Sequence, residues 1–516
     1  MQSIYSRLLA PAVCALLTSA VSVAQNSASF NIVTSNASSE NPGNIYAVDV
    51  NNDGLTDIIA DGGYSPAAFY VSINKGNGTF AAAVEYLLPV NNDEPMCVAA
   101  ADYNNDGKVD LAVPLGNTNQ IAVYLGKGDG TFKSPILSTI NFPSGDTFTG
   151  SAGCAAADFN GNGDADLVAW VGSELFVVPG AGTGSFKATP YPVLSGFPTI
   201  TGGAVFAGDY NGDGKADIAT TTVGNDNSTM INVLYGNNNF TFNATTPYTY
   251  SGILWVGSGD VNSDGITDLY AITNYNPTPQ QLAVFYGTKS NTFSSYWSDT
   301  PAGYWVTSFP AAQPFTSQLT MADYNGDGRM DLAAASFNPT TNDEGVIFFL
   351  AGANPGEFTA QQVALPTTSP WTTSPVAGLL SGGYLKPDLT LNQSNSGGND
   401  TTPTTLPALL NTTNGLFGIC PYPKSGKGFN VCAAGISYEN IAAFSAAVDS
   451  FGQLRKIVLW VDGSKVEEQD HTWDTHAYFD WAGTFSNGTH KATFYAYDVD
   501  NSVQRYDFTF EIGRGN

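Results

Sequence analysis

Residues 209–217 read DYNGDGKAD, which sets carboxylates at Asp209, Asp213 and Asp217 with the amide oxygen of Asn211 between the first two. Oxygen side chains at alternate positions, followed by a glycine that permits a sharp bend, can wrap a hard divalent cation. Carboxylates this close could also serve acid–base chemistry, so the rest of the chain has to decide. The pattern recurs as DVNNDGLTD (49–57), DYNNDGKVD (102–110), DFNGNGDAD (158–166), DVNSDGITD (260–268) and DYNGDGRMD (323–331).

Within each copy, positions 1, 3, 5 and 9 carry side-chain oxygens. The sets are Asp49, Asn51, Asp53 and Asp57; Asp102, Asn104, Asp106 and Asp110; Asp158, Asn160, Asn162 and Asp166. They continue with Asp209, Asn211, Asp213 and Asp217; Asp260, Asn262, Asp264 and Asp268; Asp323, Asn325, Asp327 and Asp331. Position 6 is always Gly, whereas position 7 varies (Leu55, Lys108, Asp164, Lys215, Ile266, Arg329), as expected of a residue that offers only its backbone carbonyl. Ca²⁺, which accepts six to eight flexible oxygen ligands, fits this set best, and six structural sites are expected. Asx-turns without metal need one or two such residues, not four in fixed register. Unneutralised carboxylates about 4 Å apart would also repel by roughly 4 kcal/mol at an effective dielectric of 20. The loops are not EF-hands: position 12, which would need a bidentate Glu, holds Ala60, Val113, Ala169, Thr220, Ala271 and Ala334.

The elements that must position these loops also repeat. Loop starts are separated by 53, 56, 51, 51 and 63 residues, and each loop leads into a short apolar run such as Leu167-Val168. A second signature follows by some thirty residues: a strand-like run, a glycine-rich turn, then Phe, clearest in VYLGKGDGTF (123–132). VSINKGNGTF (71–80), VVPGAGTGSF (177–186) and VFYGTKSNTF (284–293) match it well, and LPALLNTTNGLF (406–417) loosely marks a seventh unit. That unit keeps only Asp388 at the acidic-loop position. Units of about four short strands cannot bury both faces alone and must stack. The expected fold is all-β: a seven-bladed β-propeller over 28–417, with an open solenoid as the alternative. A strand from Ser29 to Thr34 is expected to complete the last blade.

The paired signatures resemble the FG-GAP (VCBS-type) repeat, the blade unit of the integrin α-chain propeller and of many secreted bacterial proteins. The resemblance implies loops that join neighbouring strands of a blade at one face of the ring, with structural calcium. Literal Phe-Gly and Gly-Ala-Pro elements are poorly preserved here. Residues 420–516 depart from the repeat and carry all three histidines, His471, His476 and His490. KIVLWVDGSKVEE (456–468) turns at Asp462-Gly463, and 491–512 reads as two strands joined near Asp500-Asn501. An Ig-like β-sandwich, similar to bacterial Ig-like domains, is expected there.

Residues 1–24 have the form of a signal peptide, with Arg7, an apolar Leu8–Val23 and small residues at Ser22-Val23-Ala24. Pro11 and Thr18-Ser19 argue against a membrane span, so a secreted, extracellular or cell-surface-associated protein is expected. Four cysteines follow: Cys420 and Cys432 could pair in an oxidising compartment, while Cys97 and Cys154 are either bonded across neighbouring units or buried thiols. A net charge of −27 argues against nucleic acid as a partner. Of the 33 acidic residues in 28–417, 18 sit in the six loops, against nine Lys and Arg.

The expected propeller contains no histidine, which excludes Ser-His-Asp machinery and histidine-ligated zinc from it. Asp93, Glu94, Asp343 and Glu344 have no spacing that marks a carboxylate pair. His471 and His476 near Trp473 read as surface histidines. Tyr296, Trp297, Tyr304 and Trp305 crowd the longest inter-unit insertion, either as packing between blades or as a ligand platform. The expected function is a non-enzymatic adhesion or recognition module for extracellular proteins or glycans. A carbohydrate-active enzyme (polysaccharide hydrolase or lyase) and a purely structural envelope or matrix component are the alternatives.

Overall fold

The computed structural model describes residues 30–512 apart from connecting segments, of which 297–314 and 412–428 are the longest. The expected signal peptide therefore lies outside the described residues, as do Trp297, Tyr304, Trp305, Asp93, Glu94 and Cys420.

The apolar run after each acidic loop is the second strand of an antiparallel sheet. The inner strands that precede the loops are Ile45–Val48, Ala99–Ala101, Cys154–Ala157, Val205–Gly208, Ile253–Gly259, Phe315–Ala322 and Trp371–Gly378. Each begins one of seven sheets, numbered one to seven here, in which the strands pair in chain order. Sheet four gains a fifth strand, Tyr248–Tyr250, beside Thr229–Gly236. Sheet seven takes its outer strand from the other end of the chain: Phe30–Ser38 pairs with Thr404–Asn411, from Phe30 opposite Asn411 to Ser38 opposite Thr404. The expected closing strand is thus present and runs four residues beyond Thr34, the end its sequence suggested.

Alternation within a strand explains why these runs are apolar throughout. In sheet three, Leu167, Ala169 and Val171 pack toward sheet two with Ile121 and Val123. Val168 and Trp170 point the other way and pack with Ile218 and Leu234 of sheet four. A sheet clasped on both faces needs hydrophobic side chains at odd and even positions alike. The inner strands of sheets two to six approach their successors in turn, that of sheet seven approaches those of both sheets six and one, and sheets one and two share a core that includes Val48, Ile59, Val98 and Leu111. The sheets therefore close into a ring, a β-propeller rather than an open solenoid.

Cys97, just before the inner strand of sheet two, is bonded to Cys154 in the inner strand of sheet three, with Cα atoms 6.0 Å apart. The bond settles the choice between cross-unit disulfide and free thiols. Closing a loop of this length restricts the unfolded chain by about 4 kcal/mol at most.

The C-terminal strands Phe429–Tyr438, Ile441–Val461, Ser464–Thr484, Gly488–Asp498 and Val503–Ile512 join one sheet. Ile441–Val461 pairs along its first half with Phe429–Tyr438 and along its second half with Gly488–Asp498, its register breaking between Asp449 and Leu454. Val461 pairs with Ser464 across Asp462 and Gly463, at φ 50° and 78°, the left-handed pair that a two-residue hairpin turn requires. Strands 488–498 and 503–512 also meet as the sequence suggested, with Tyr497 opposite Val503.

The Asp462 turn is fastened by His490, whose Nδ1 lies 2.6 Å from Asp462 Oδ2 and whose Nε2 lies 2.7 Å from the Ser486 carbonyl oxygen. Both partners only accept hydrogen bonds, so both ring nitrogens must carry protons. The contact with Asp462, and then the Ser486 carbonyl, raise the His490 pKa, while His490 and the Lys491 N–H hold Asp462 below its ordinary value. A raised histidine contributes stability that is complete below its unfolded value of about 6.5 and is lost as pH rises through the folded value. The depressed aspartate contributes above about 4 and fails below it. Unfolding of the C-terminal sheet should thus be most resistant between about pH 4 and 6.5 and weaken as pH rises through the raised histidine value. His490→Gln should flatten the alkaline limb in thermal melts of the full chain; an unchanged limb would exclude this pair as its source.

Candidate metal centres

Each acidic loop joins an inner strand to the second strand of its sheet. The residue before the loop pairs with the position-9 aspartate: Val48 with Asp57, Ala101 with Asp110, Ala157 with Asp166, Gly208 with Asp217. The same holds for Gly259 with Asp268 and Ala322 with Asp331. Gly378 pairs likewise with Asp388, so sheet seven keeps the register although its loop sequence is lost.

The position-9 aspartates are fully buried in all six loops. Their Oδ2 atoms accept the N–H of the position-2 residue at 2.9–3.1 Å, from Val50, Tyr103, Phe159, Tyr210, Val261 and Tyr324. Their Oδ1 atoms accept a second N–H at 2.7–2.8 Å from the end of the third strand: Asn74, Gly126, Gly180, Gly236, Gly287 and Ala351. One carboxylate therefore ties the loop, the second strand and the turn after the third strand together. Sequence reading placed these residues among the metal ligands and missed this clamp. The signal was the constant company of the two signatures. The glycines of the second signature stand against the loop: a Cβ at Gly126 would lie 2.0 Å from the Val109 carbonyl oxygen, and one at Gly180 2.1 Å from that of Ala165.

Positions 1, 3 and 5 form a second frame. In loop four, Asp209 Oδ1 and Asn211 Oδ1 accept the Asp213 N–H at 3.1 and 3.0 Å. Asp209 Oδ2 accepts the Gly214 N–H at 2.7 Å, and Asp213 Oδ1 that of Lys215 at 3.0 Å. Loop five repeats this through Asp260, Asn262, Asp264, Gly265 and Ile266, and loop two largely does so through Asp102, Asp106, Gly107 and Lys108. In loop one, Asp53 N–H donates to Asp49 and Asn51, and Leu55 N–H to Asp53. In loop three, Gly163 and Asp164 donate to Asp158 and Asn162. Asn325 and Asp327 of loop six lie outside the described residues.

The loops also sit in the seams between sheets. The Gly184 N–H, in the glycine-rich turn of sheet three, donates to the Tyr103 carbonyl of loop two at 2.8 Å. Gly184 adopts φ +78°, and a Cβ there would meet Leu125 of sheet two. Asn105 of loop two donates to Asp164 Oδ1 of loop three at 2.9 Å, and Asn211 of loop four to Asn291 of the sheet-five turn at 3.0 Å. Asp209 and Thr267 exchange hydrogen bonds between loops four and five.

Burial drives the electrostatics. It pushes Asp110 and Asp166 up to about 7 and Asp217 up to about 8, against the lowering effect of their N–H partners. The neighbouring aspartate charges add to the rise, and Asp57 and Asp268 are raised well above the ordinary range for the same reasons. A divalent cation would relieve this crowding, and the donors are all hard oxygens, so the residues fit Ca²⁺. Among the described residues no three His, Cys, Asp or Glu side chains form a metal-binding group. A cation held here must therefore draw on asparagine and backbone oxygens too. His471 and His476 share one long strand, five residues apart.

Among solved structures, the chain is similar to an Agrocybe aegerita lectin described as recognising non-reducing terminal N-acetylglucosamine, at 18% identity, TM-score 0.43, and 63% and 80% coverage of the two chains. It is similar also to BBS1N in complex with ARL6DN, at 13% identity, TM-score 0.44, and 75% and 98% coverage. AofleA from Arthrobotrys oligospora matches at 9% identity, TM-score 0.36, and 66% and 91% coverage. No curated protein matches the sequence. The FG-GAP-like repeat model matches residues 49–113, 115–169, 158–220 and 260–334, the stretches that carry the six acidic loops. The chain thus carries FG-GAP-like repeats, and these together with its ring of four-stranded antiparallel sheets fit an FG-GAP β-propeller.

Proposed function

We propose that the chain is an exported, calcium-braced recognition module that binds extracellular proteins or glycans and performs no reaction of its own. The FG-GAP propeller supports a recognition or adhesion role in general terms. The observation that carries the finer reading is the fate of the acidic residues. The loop carboxylates, the densest array of potential acids and bases in the chain, are committed to hydrogen bonds that hold loops, strands and seams together. Groups spent in this way brace a scaffold; they do not face a substrate.

In each loop the oxygens of positions 1, 3, 5 and 9 and the carbonyl of position 7 would hold the ion. Calcium would supply charge neutralisation there. The chain's own contribution is the N–H frame that fixes each carboxylate before the ion arrives. Loops at one end of the ring then offer a rigid face for binding. A glycan array and an extracellular-protein array, probed with the calcium-loaded full chain, should show saturable binding with the ligand recovered intact. Release of new reducing ends from a bound polysaccharide would replace this reading with a carbohydrate-active enzyme; silence on both arrays would favour a structural component.

A further inference from the structure

We infer that three inner strands of the propeller form a docking surface for the chain's own C-terminal sheet, so that this sector of the ring is occupied in cis. The strands are Ala99–Ala101, Cys154–Ala157 and Val205–Gly208, which succeed one another around the ring. Strand Ile441–Val461 comes within 8 Å, Cα to Cα, of the first two, and its hairpin partner Ser464–Thr484 comes as close to the third. Two adjacent strands of one hairpin thus lie across three adjacent strands of the ring.

The sequence of this sector suits the role. The three strands read AAA, CAAA and VFAG, without a charge and with one large side chain, Phe206. Small residues let a second backbone approach closely, whereas the inner strands of sheets five and six carry Trp255, Gln318 and Met321. The Cys97–Cys154 disulfide braces the same sector, joining sheet two to the strand that Ile441–Val461 approaches. The hairpin arms supply the reach: each has 21 residues, about 70 Å if straight, while the neighbouring strands of their sheet have 10 or 11. This surface stands independently of the calcium and ligand readings. It directs a propeller ligand to the loops or the outer rim unless the C-terminal sheet is first displaced.

The test uses the full chain with a specific protease site inserted between Asn414 and Gly415. After cleavage the two fragments should co-elute in size-exclusion chromatography at micromolar concentration. A diazirine amino acid placed at Ala155, and separately at Ala207, should cross-link to peptides within 441–484. Two label positions protect the test against one variant failing to fold. Separation of folded fragments after cleavage, or cross-links confined to the propeller from both positions, would overturn the docking surface.

Discussion

Removing divalent cations with excess EDTA is expected to lower the melting temperature of the propeller by roughly 15–20 °C, and restoring Ca²⁺ should recover it. A site filled at a hundred times its dissociation constant adds about 2.7 kcal/mol to folding. Six such sites add on the order of 16 kcal/mol, against an unfolding entropy of about 0.8 kcal/mol/K for a domain this size. The seams enlarge the cooperative unit. Loop two is bonded to loop three through Asn105 and Asp164, and loop four to loop five through Asp209 and Thr267, so loosening one loop loosens its neighbour. Differential scanning calorimetry in calcium, in EDTA and after calcium restoration measures the effect. An unchanged melting temperature after confirmed metal removal would sink the calcium reading.

Asp217→Ala should destabilise the protein by about 3–5 kcal/mol whether or not calcium is present. Its two oxygens take the Tyr210 and Gly236 N–H groups at 2.9 and 2.7 Å in a fully buried site. Truncation strands both donors, and a buried unsatisfied polar group costs about 1–3 kcal/mol. Asp213→Ala is the contrasting substitution in the same loop. Asp213 is about one-third exposed and pairs with Lys215 at 2.7 Å, an arrangement worth less than about 1 kcal/mol. It should therefore be nearly silent in EDTA and destabilising only in calcium. Urea titrations of both variants in both conditions separate the clamp from the ligand. An Asp217→Ala variant as stable as the parent in EDTA would show that position 9 has no structural role apart from the ion.

Much of this arrangement was legible because the repeat is local. The six acidic nonapeptides, the glycine-rich turns and the continuous apolar runs report hairpins buried on both faces, and the strand expected from Ser29 to Thr34 does complete the last blade. Asp388 alone, without its loop, still marked the start of a second strand. Asp462-Gly463 declared its turn because a left-handed pair demands such residues.

What the sequence by itself determined was therefore the period, the sheet composition and the oxygen-rich loops, all of them patterns of residue type along the chain. Tertiary structure alone decided which groups meet across separate strands and separate units. It divided the labour within each loop, because the N–H that meets Asp217 comes from Gly236, at the far end of another strand. It chose the Cys97–Cys154 bond, since the stacking of sheet three on sheet two brings the two cysteines together. It placed the loops in the seams, where Gly184 meets Tyr103, and the long C-terminal hairpin against small-residue inner strands. Those contacts depend on how sheets stack around an axis, a geometry that no window of sequence contains.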